Sequence, residues 1–310
     1  MGRVLARCAG PGPRALHDRP HRPPLRVPLP RRPRRRTRLR GSHRVNPLEA
    51  FVLGVVQGLT EFLPVSSSGH LVLGQALFGI ELPGVVFEVN VHVATLCAVC
   101  WVYRGRLAEL ARGVCSADRG SIRDVGLLAA ATLPAAAIGV GLRDALEPTF
   151  ERPVLAAAML LVTGAVVWSI RRLSRRGTRA RPTVGGALAI GMAQAFAILP
   201  GISRSGSTVA AAVAAGVEPR RAAEFSFLLS IPAIGGAAVL QAPELGEAGL
   251  AAGMLPLAVA FAAAALSGVF AIRIFLRMLE QRVFHRFAWY CWLVGGGYLA
   301  AAAIWPALRG

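Results

Sequence analysis

The chain has 310 residues, of which 54% are hydrophobic and only 16% charged, with a mean hydropathy of +0.52. A soluble domain carries about 25% charged residues, so this composition excludes an ordinary soluble enzyme and points to a membrane protein. All 35 basic residues are Arg, against 16 acids, and 14 of them lie in residues 1–44, so the net charge of +19 describes mostly a tail and is no nucleic-acid-binding signature.

Residues 1–44 also hold eight Pro and a single acid, Asp18. They lack an apolar core region or any periodicity, so they are neither a signal peptide nor a span, and such a composition cannot bury a core. One reading is a polybasic arm toward anionic lipid or nucleic acid. The other is a disordered leader, preferred in the form that these residues are upstream sequence and the start is Val45, which a GUG codon would encode.

Beyond the tail, six apolar segments approach or reach the length that crosses about 30 Å of hydrocarbon: 86–103, 125–142, 153–170, 220–240, 251–272 and 287–305. The connecting segments sort by charge. Segment 104–124 has five Arg, 171–184 has six, 217–221 has two and 273–286 has four, whereas 143–152 has two Arg against three acids and 241–250 has two Glu and no Arg. Arg-rich loops stay on the cytoplasmic side, which puts the first four inside and the last two outside. Two interrupted apolar stretches remain, 46–80 and 185–216. The first must then enter and leave from the outside and the second from the inside, so both are predicted re-entrant helical hairpins. The fold expected is an all-α polytopic membrane protein of two inverted repeats, about 46–170 and 185–305, each a hairpin plus three transmembrane helices. Together they form one integral membrane domain over 45–310. This topology also places residue 46 outside, so a translated tail would carry its Arg across the membrane, which is why the start at Val45 is preferred.

The hairpins echo each other. Leu63-Pro64-Val65-Ser66-Ser67-Ser68-Gly69 in the first resembles Leu199-Pro200-Gly201-Ile202-Ser203-Arg204-Ser205-Gly206 in the second, and Gln57 and Gln194 precede the two Pro by seven and six residues. Of the 21 Arg after residue 45, only Arg204 falls at a hairpin tip rather than in a loop or at the C-terminus. A lone intramembrane Arg needs a counter-charge, a wet cavity or an anionic ligand. A structural answer is an ion pair with Glu61 across the two tips; a functional one is a bidentate clamp on phosphate.

The first hairpin supplies complementary groups. Gln57 and Glu61 share a helix face, Pro64 stops that helix, and Ser66, Ser67 or Ser68 can cap the next one, with His70 in its first turn. The second hairpin offers Ser203, Ser205 and Thr208 likewise. Taken singly, each serine is expected to cap and His70 to be structural. Converging at a half-helix N-terminus, they make an anion site suited to phosphoryl transfer. A serine hydrolase fits poorly, because Gly201-Ile202-Ser203-Arg204-Ser205 lacks the last Gly of G-x-S-x-G and no strand precedes it.

Other polar positions weigh less. Asn90 and His92 either line the cavity or pair across helices, Glu88 and Glu224 are expected at span ends, and Gly235 and Gly236 at close helix contacts. The five Cys have no framework spacing, and Cys97-x-x-Cys100 reads as small apolar filler.

The signatures Gln57 to His70 and Leu199 to Gly206, with Phe87-Glu88-Val89, Leu133-Pro134-Ala135-Ala136 and Phe225 to Ile234, resemble the undecaprenyl-diphosphate phosphatases, also called bacitracin-resistance proteins. The likeness covers about 46–305 and omits the tail. It implies a bacterial inner (plasma) membrane enzyme that hydrolyses undecaprenyl diphosphate to undecaprenyl phosphate and inorganic phosphate, recycling the carrier for peptidoglycan and cell-wall synthesis and conferring bacitracin resistance. By the same resemblance Mg2+ or Ca2+ is the cofactor, with Glu61 its main carboxylate because position 57 is Gln rather than the Glu of some members. The catalytic set is then Glu61, Ser67, His70 and Arg204. Ser67 is the preferred nucleophile with His70 as proton partner, a phospho-His70 route the runner-up, and Gln57, Ser66, Ser68, Ser203, Ser205 and Thr208 bind substrate. The reaction faces outside, the partners are a polyprenyl diphosphate lipid and the bilayer rather than nucleic acid, and a homodimer is left open. A flippase using the same headgroup site is the rival reading, because inverted repeats are typical of alternating access.

Overall fold

A computed structural model describes residues 46–78, 85–173, 177–241 and 253–309; the 1–44 leader lies outside them. The described residues are helical apart from short connections and one isolated bridge between Arg179 and Val217. In chain order the helices are α1 (Pro47–Phe62), α2 (Ser67–Phe78), α3 (Val85–Val102), α4 (Arg104–Cys115), α5 (Arg119–Gly141), the single turn α6 (Arg143–Leu146) and α7 (Pro153–Leu173). The second half adds α8 (Val184–Phe196), α9 (Arg204–Ala214), α10 (Pro219–Gln241), α11 (Met254–Glu280) and α12 (Phe287–Ile304).

Five helices, α5, α7, α10, α11 and the one ending at Ile304, are long and apolar enough to cross a membrane, and α3 makes a sixth if it is counted with α4, into which it bends by 75°. The chain is an all-α polytopic membrane protein, and its spans fall where hydropathy places them. The two interrupted stretches form helix pairs, α1 with α2 and α8 with α9, whose members of 16, 12, 13 and 11 residues are each shorter than the roughly 20 needed to span.

Two predicted loops prove to be helical. Segment 104–124 forms α4 and the start of α5, because it contains no Pro and Asp118 caps α5 by accepting from the Ser121 amide at 2.7 Å. Likewise α11 runs to Glu280 and carries Arg273 and Arg277 of the predicted loop on its last turns. Charge alone ends a span but not a helix.

The close packing comes from glycines other than those expected. Gly54 and Gly58, one turn apart on α1, lie against Ala260, Ala263, Ala264 and Gly268 of α11, where a methyl group has no room. Small residues at this spacing let backbones approach. Gly235 has only the Leu96 side chain near it and Gly236 nothing within 4 Å, so these two do not serve that purpose. A chain of edge-to-face rings, Phe62–Phe227 at 5.7 Å, Phe227–Phe275 at 5.0 Å and Phe275–Phe284 at 4.6 Å, ties α1, α10 and α11 beneath the hairpin tips.

Candidate active site

The two tips are built alike and meet. Ser66 caps α2 by accepting from Gly69 N at 3.2 Å, and Ser203 caps α9 by accepting from Gly206 N at 3.2 Å. Each cap hydroxyl also meets the serine two residues on, Ser66 with Ser68 at 3.3 Å and Ser203 with Ser205 at 3.2 Å. Ser205 Oγ donates to the Leu63 carbonyl at 3.4 Å, and the backbones come so close that a Cβ on Gly69 would stand 2.9 Å from Gly201 Cα. Two helix N-termini therefore converge. The amides of Ser67, Ser68, Arg204 and Ser205 have no intrahelical acceptor there, and both dipoles favour an anion.

Charged groups are set around this point. Arg204 Nη2 donates to Glu61 Oε1 at 3.0 Å, so the ion pair across the tips is formed. Glu61 Oε2 accepts from Gln57 Nε2 at 3.1 Å and from Ser67 Oγ at 2.9 Å. A guanidinium at a helix centre costs about 3 kcal/mol in a membrane, and the pair offsets part of that. It does not use the whole group: Arg204 Nη1 is buried with no partner among the described residues. A buried unpaired donor of this kind is costly, and an anionic ligand would satisfy it.

A cavity of about 340 Å3 opens on these groups. Of the ten expected site residues, Glu61, Ser66, Ser67, Ser68, Ser203 and Arg204 line it. Gln57 lies behind Glu61 and orients it. Ser205 is spent on the tip contact, and Thr208 Oγ1 donates to the Arg204 carbonyl at 2.8 Å and meets Ser226 Oγ at 2.6 Å, so Thr208 holds α9 rather than facing the cavity. His70 departs from expectation. Its Nδ1–H donates to the Ser66 carbonyl at 2.8 Å and its Nε2 meets Tyr290 OH at 2.8 Å; with both ring nitrogens engaged, it is not placed to take the Ser67 proton directly.

Two residues weighed lightly in the sequence matter more. His92 Nε2 stands 3.9 Å from Glu61 Oε2, with Nδ1–H donating to the Glu88 carbonyl at 2.8 Å. Glu88, expected at a span end, lines the same cavity. Their spacing, one helical turn apart on α3, was the available signal. Asn90, by contrast, pairs across helices with the Leu257 carbonyl at 2.9 Å.

Among the described residues no three His, Cys, Asp or Glu side chains converge as a metal cage. Mg2+ is commonly held by one or two carboxylates plus substrate phosphates, and Glu61 beside Ser67, with Glu88 on the cavity wall, suits that mode. Much of the remaining wall is apolar, with Leu71, Val89, Ile198, Ile234 and Ala237 beside the polar Thr60 and Gln241.

A larger cavity of about 430 Å3 lies elsewhere. There Arg106 meets Asp124 at 2.7 Å, Glu109 at 2.9 Å and Glu224 at 3.0 Å, Arg181 meets Asp124 at 3.1 Å, and Arg221 meets Glu224 at 3.0 Å. Each of these Arg has a carboxylate partner, although Tyr103 OH and Arg106 Nε there are also buried without a hydrogen bond among the described residues. Size therefore does not select the site; Arg204 does, because its unpartnered Nη1 stands where two helix N-termini converge.

The family model for bacitracin resistance protein BacA matches residues 50–297. The chain belongs to the BacA family. Among its relatives is the undecaprenyl-diphosphatase of Desulfatibacillum aliphaticivorans, 42% identical over 273 residues that cover 82% of this chain and 98% of the relative. That of Desulfosudis oleivorans is also 42% identical, over 283 residues covering 86% and 100%. That of Salinibacter ruber is 40% identical over 265 residues covering 80% and 96%. Both hairpin tips lie within the family-matched residues 50–297.

Proposed function

We propose that this BacA-family chain hydrolyses the terminal phosphate of undecaprenyl diphosphate, giving undecaprenyl phosphate and inorganic phosphate and, through depletion of the diphosphate, bacitracin resistance. The observation that carries the reading is the buried, unpaired Arg204 Nη1 at two converging helix N-termini, beside a Ser67 hydroxyl already bonded to a carboxylate.

In this reading the terminal phosphate enters between the tips, and Arg204 and the free amides of α2 and α9 neutralise its oxygens. Ser67 Oγ attacks the terminal phosphorus while its proton passes to Glu61 Oε2, 2.9 Å away. The bond from phosphorus to the bridging oxygen breaks, and undecaprenyl phosphate leaves with that oxygen. Water then attacks the phosphoserine phosphorus, Glu61 returns its proton to Ser67 Oγ as the phosphorus–Oγ bond breaks, and inorganic phosphate leaves with the water's oxygen and hydrogens, restoring the hydroxyl and the carboxylate. Gln57 fixes the carboxylate, and His92 borders it. Mg2+ or Ca2+, held at Glu61 together with the diphosphate oxygens, would draw negative charge from the phosphoryl group.

The cavity is assigned to the outer face of the plasma membrane. Phe150 and Gln241, which border the two Arg-poor connections, lie on its wall, whereas Arg106, Arg181 and Arg221 from Arg-rich segments line the larger cavity; the positive-inside rule separates the two. The same assignment makes the hairpins enter from opposite faces, as two inverted repeats.

The test is phosphate release from undecaprenyl diphosphate by the detergent-purified full chain, with and without Mg2+ or Ca2+. Release that is lost in Arg204→Ala and Ser67→Ala supports the scheme. A folded wild type that binds the lipid and releases no phosphate defeats it in favour of the flippase. An active Ser67→Ala removes Ser67 as the nucleophile.

A further inference from the structure

The break between α1 and α2 is strained. Ser66 has φ 64, a left-handed conformation that costs a residue with a Cβ about 1–2 kcal/mol and persists only where its surroundings over-determine it. Ser67, the hydroxyl on Glu61, is the next residue, so its position depends on how firmly Ser66 is held.

Two contacts fix the Ser66 carbonyl: the His70 amide at 3.2 Å and His70 Nδ1 at 2.8 Å. A carbonyl only accepts, so Nδ1 carries the proton, and Nε2 of the neutral ring has a lone pair. That lone pair faces Tyr290 OH at 2.8 Å, which leaves the phenol as the donor. The rings stack with centroids 5.5 Å apart and planes 9° from parallel. The neighbouring residue on α12, Cys291, directs Sγ at the Pro64 carbonyl 3.5 Å away, so α12 braces this turn at two successive residues.

We propose that Tyr290 is a positioning residue for the hydrolysis: by donating to His70 Nε2 it holds the proton of that ring on Nδ1, and thereby the Ser66 carbonyl, the strained turn and the aim of the Ser67 hydroxyl. Without the phenol, the imidazole is free to move its proton to Nε2, whereupon Nδ1 and the carbonyl become two acceptors facing each other and the turn loses a restraint. His70 thus serves the site through Ser66 rather than as the proton partner of Ser67. The kinetic part rests on the phosphatase reading; the hydrogen-bond part does not.

Tyr290→Phe keeps the stacked ring and deletes only the donor. In the full chain, kcat for undecaprenyl diphosphate is expected to fall roughly ten- to a hundredfold, as for a misaimed reacting group, with KM unchanged. Nitrogen-15 NMR of histidine-labelled protein, with the His70 signals assigned by their loss in His70→Asn, reports the tautomer directly: Nδ1–H in the wild type and a mixture in Tyr290→Phe. A variant that keeps both wild-type kcat and the Nδ1–H tautomer overturns the proposal, as does one whose kcat falls while the tautomer stays. A wild type that turns over no substrate but whose His70 tautomer depends on Tyr290 defeats the phosphatase and upholds the pairing.

Discussion

The two hairpin tips share a scaffold and differ in what it carries. Aligned on their caps, Ser66-Ser67-Ser68-Gly69 matches Ser203-Arg204-Ser205-Gly206, so the first helical position holds a hydroxyl on one tip and a guanidinium on the other. One turn beyond Gln57 stands Glu61, which takes its amide at 3.1 Å; one turn beyond Gln194 stands Ile198, and both Gln194 amide atoms are buried without partners among the described residues. The left-handed residue is Ser66 in the first tip, φ 64, and Gly201 in the second, φ 94. The capped turn recurs in both tips, and the positions at which they differ are those the proposed hydrolysis uses, Ser67 and Glu61 on one side and Arg204 on the other.

The strongest way to break this division is at the guanidinium. Arg204→Ala is expected to lower kcat/KM by about a hundredfold or more, the scale of a lost transition-state donor, and Arg204→Lys to restore little because one ammonium cannot serve Glu61 and phosphate together. Phosphate-release kinetics decide both; an Arg204→Lys enzyme with wild-type rates would leave the fork geometry without a role.

Next come the left-handed residues. Gly201→Ala forces a Cβ against the Ala156 carbonyl at a positive φ and should cost more than about 2 kcal/mol, seen as a lower melting temperature in detergent. Ser66→Gly relieves the strain while giving up a cap worth a few tenths relative to Gly, whereas Ser66→Ala keeps the strain and loses about 1 kcal/mol of capping. Ser66→Ala should therefore melt below Ser66→Gly; the reverse order would show that the turn is not strained.

The orphan glutamine sharpens the comparison further. Gln194→Leu removes a buried amide whose unpaired groups cost about 1–3 kcal/mol and should raise the melting temperature, while Gln57→Leu strips Glu61 of a donor and lowers activity. Destabilisation by Gln194→Leu would reveal a partner for that amide.

The smallest effect is away from the tips. The Ser121 amide, with the Ser121 hydroxyl, holds the Asp118 carboxyl below the usual carboxylate range. A lowered native value means the cap contributes above the unfolded pKa of about 3.9 and is lost as pH falls through the lower native one. Asp118→Asn caps at every pH, so its melting temperature should vary less with pH below about 4.

How much of this was legible before the structure depends on range. Span positions, the two breaks and the Glu61–Arg204 pairing follow from hydropathy, Pro and Ser placement and the cost of a lone intramembrane Arg, all of which are local or one-dimensional. The helicity of 104–124 was hidden because charge reports membrane depth rather than backbone conformation. His70 was aimed at Ser67 by sequence proximity, but its ring is set by Tyr290, 220 residues away, and no periodicity encodes that contact. Gly54 and Gly58 carried a visible four-residue spacing; which helix they admit was not visible.

The braces of the tips cross between the halves. Thr163 of α7 donates to the Gly201 carbonyl at 2.7 Å and accepts from Ser203 N at 3.0 Å, so the third span of the first half steadies the second tip. Tyr290 and Cys291 of α12, the third span of the second half, steady the first. During synthesis the first tip therefore precedes its brace by 220 residues. Under the proposed scheme a chain that stalls before residue 290 would lack the contact that fixes His70, and lipid cleavage would await the final helix.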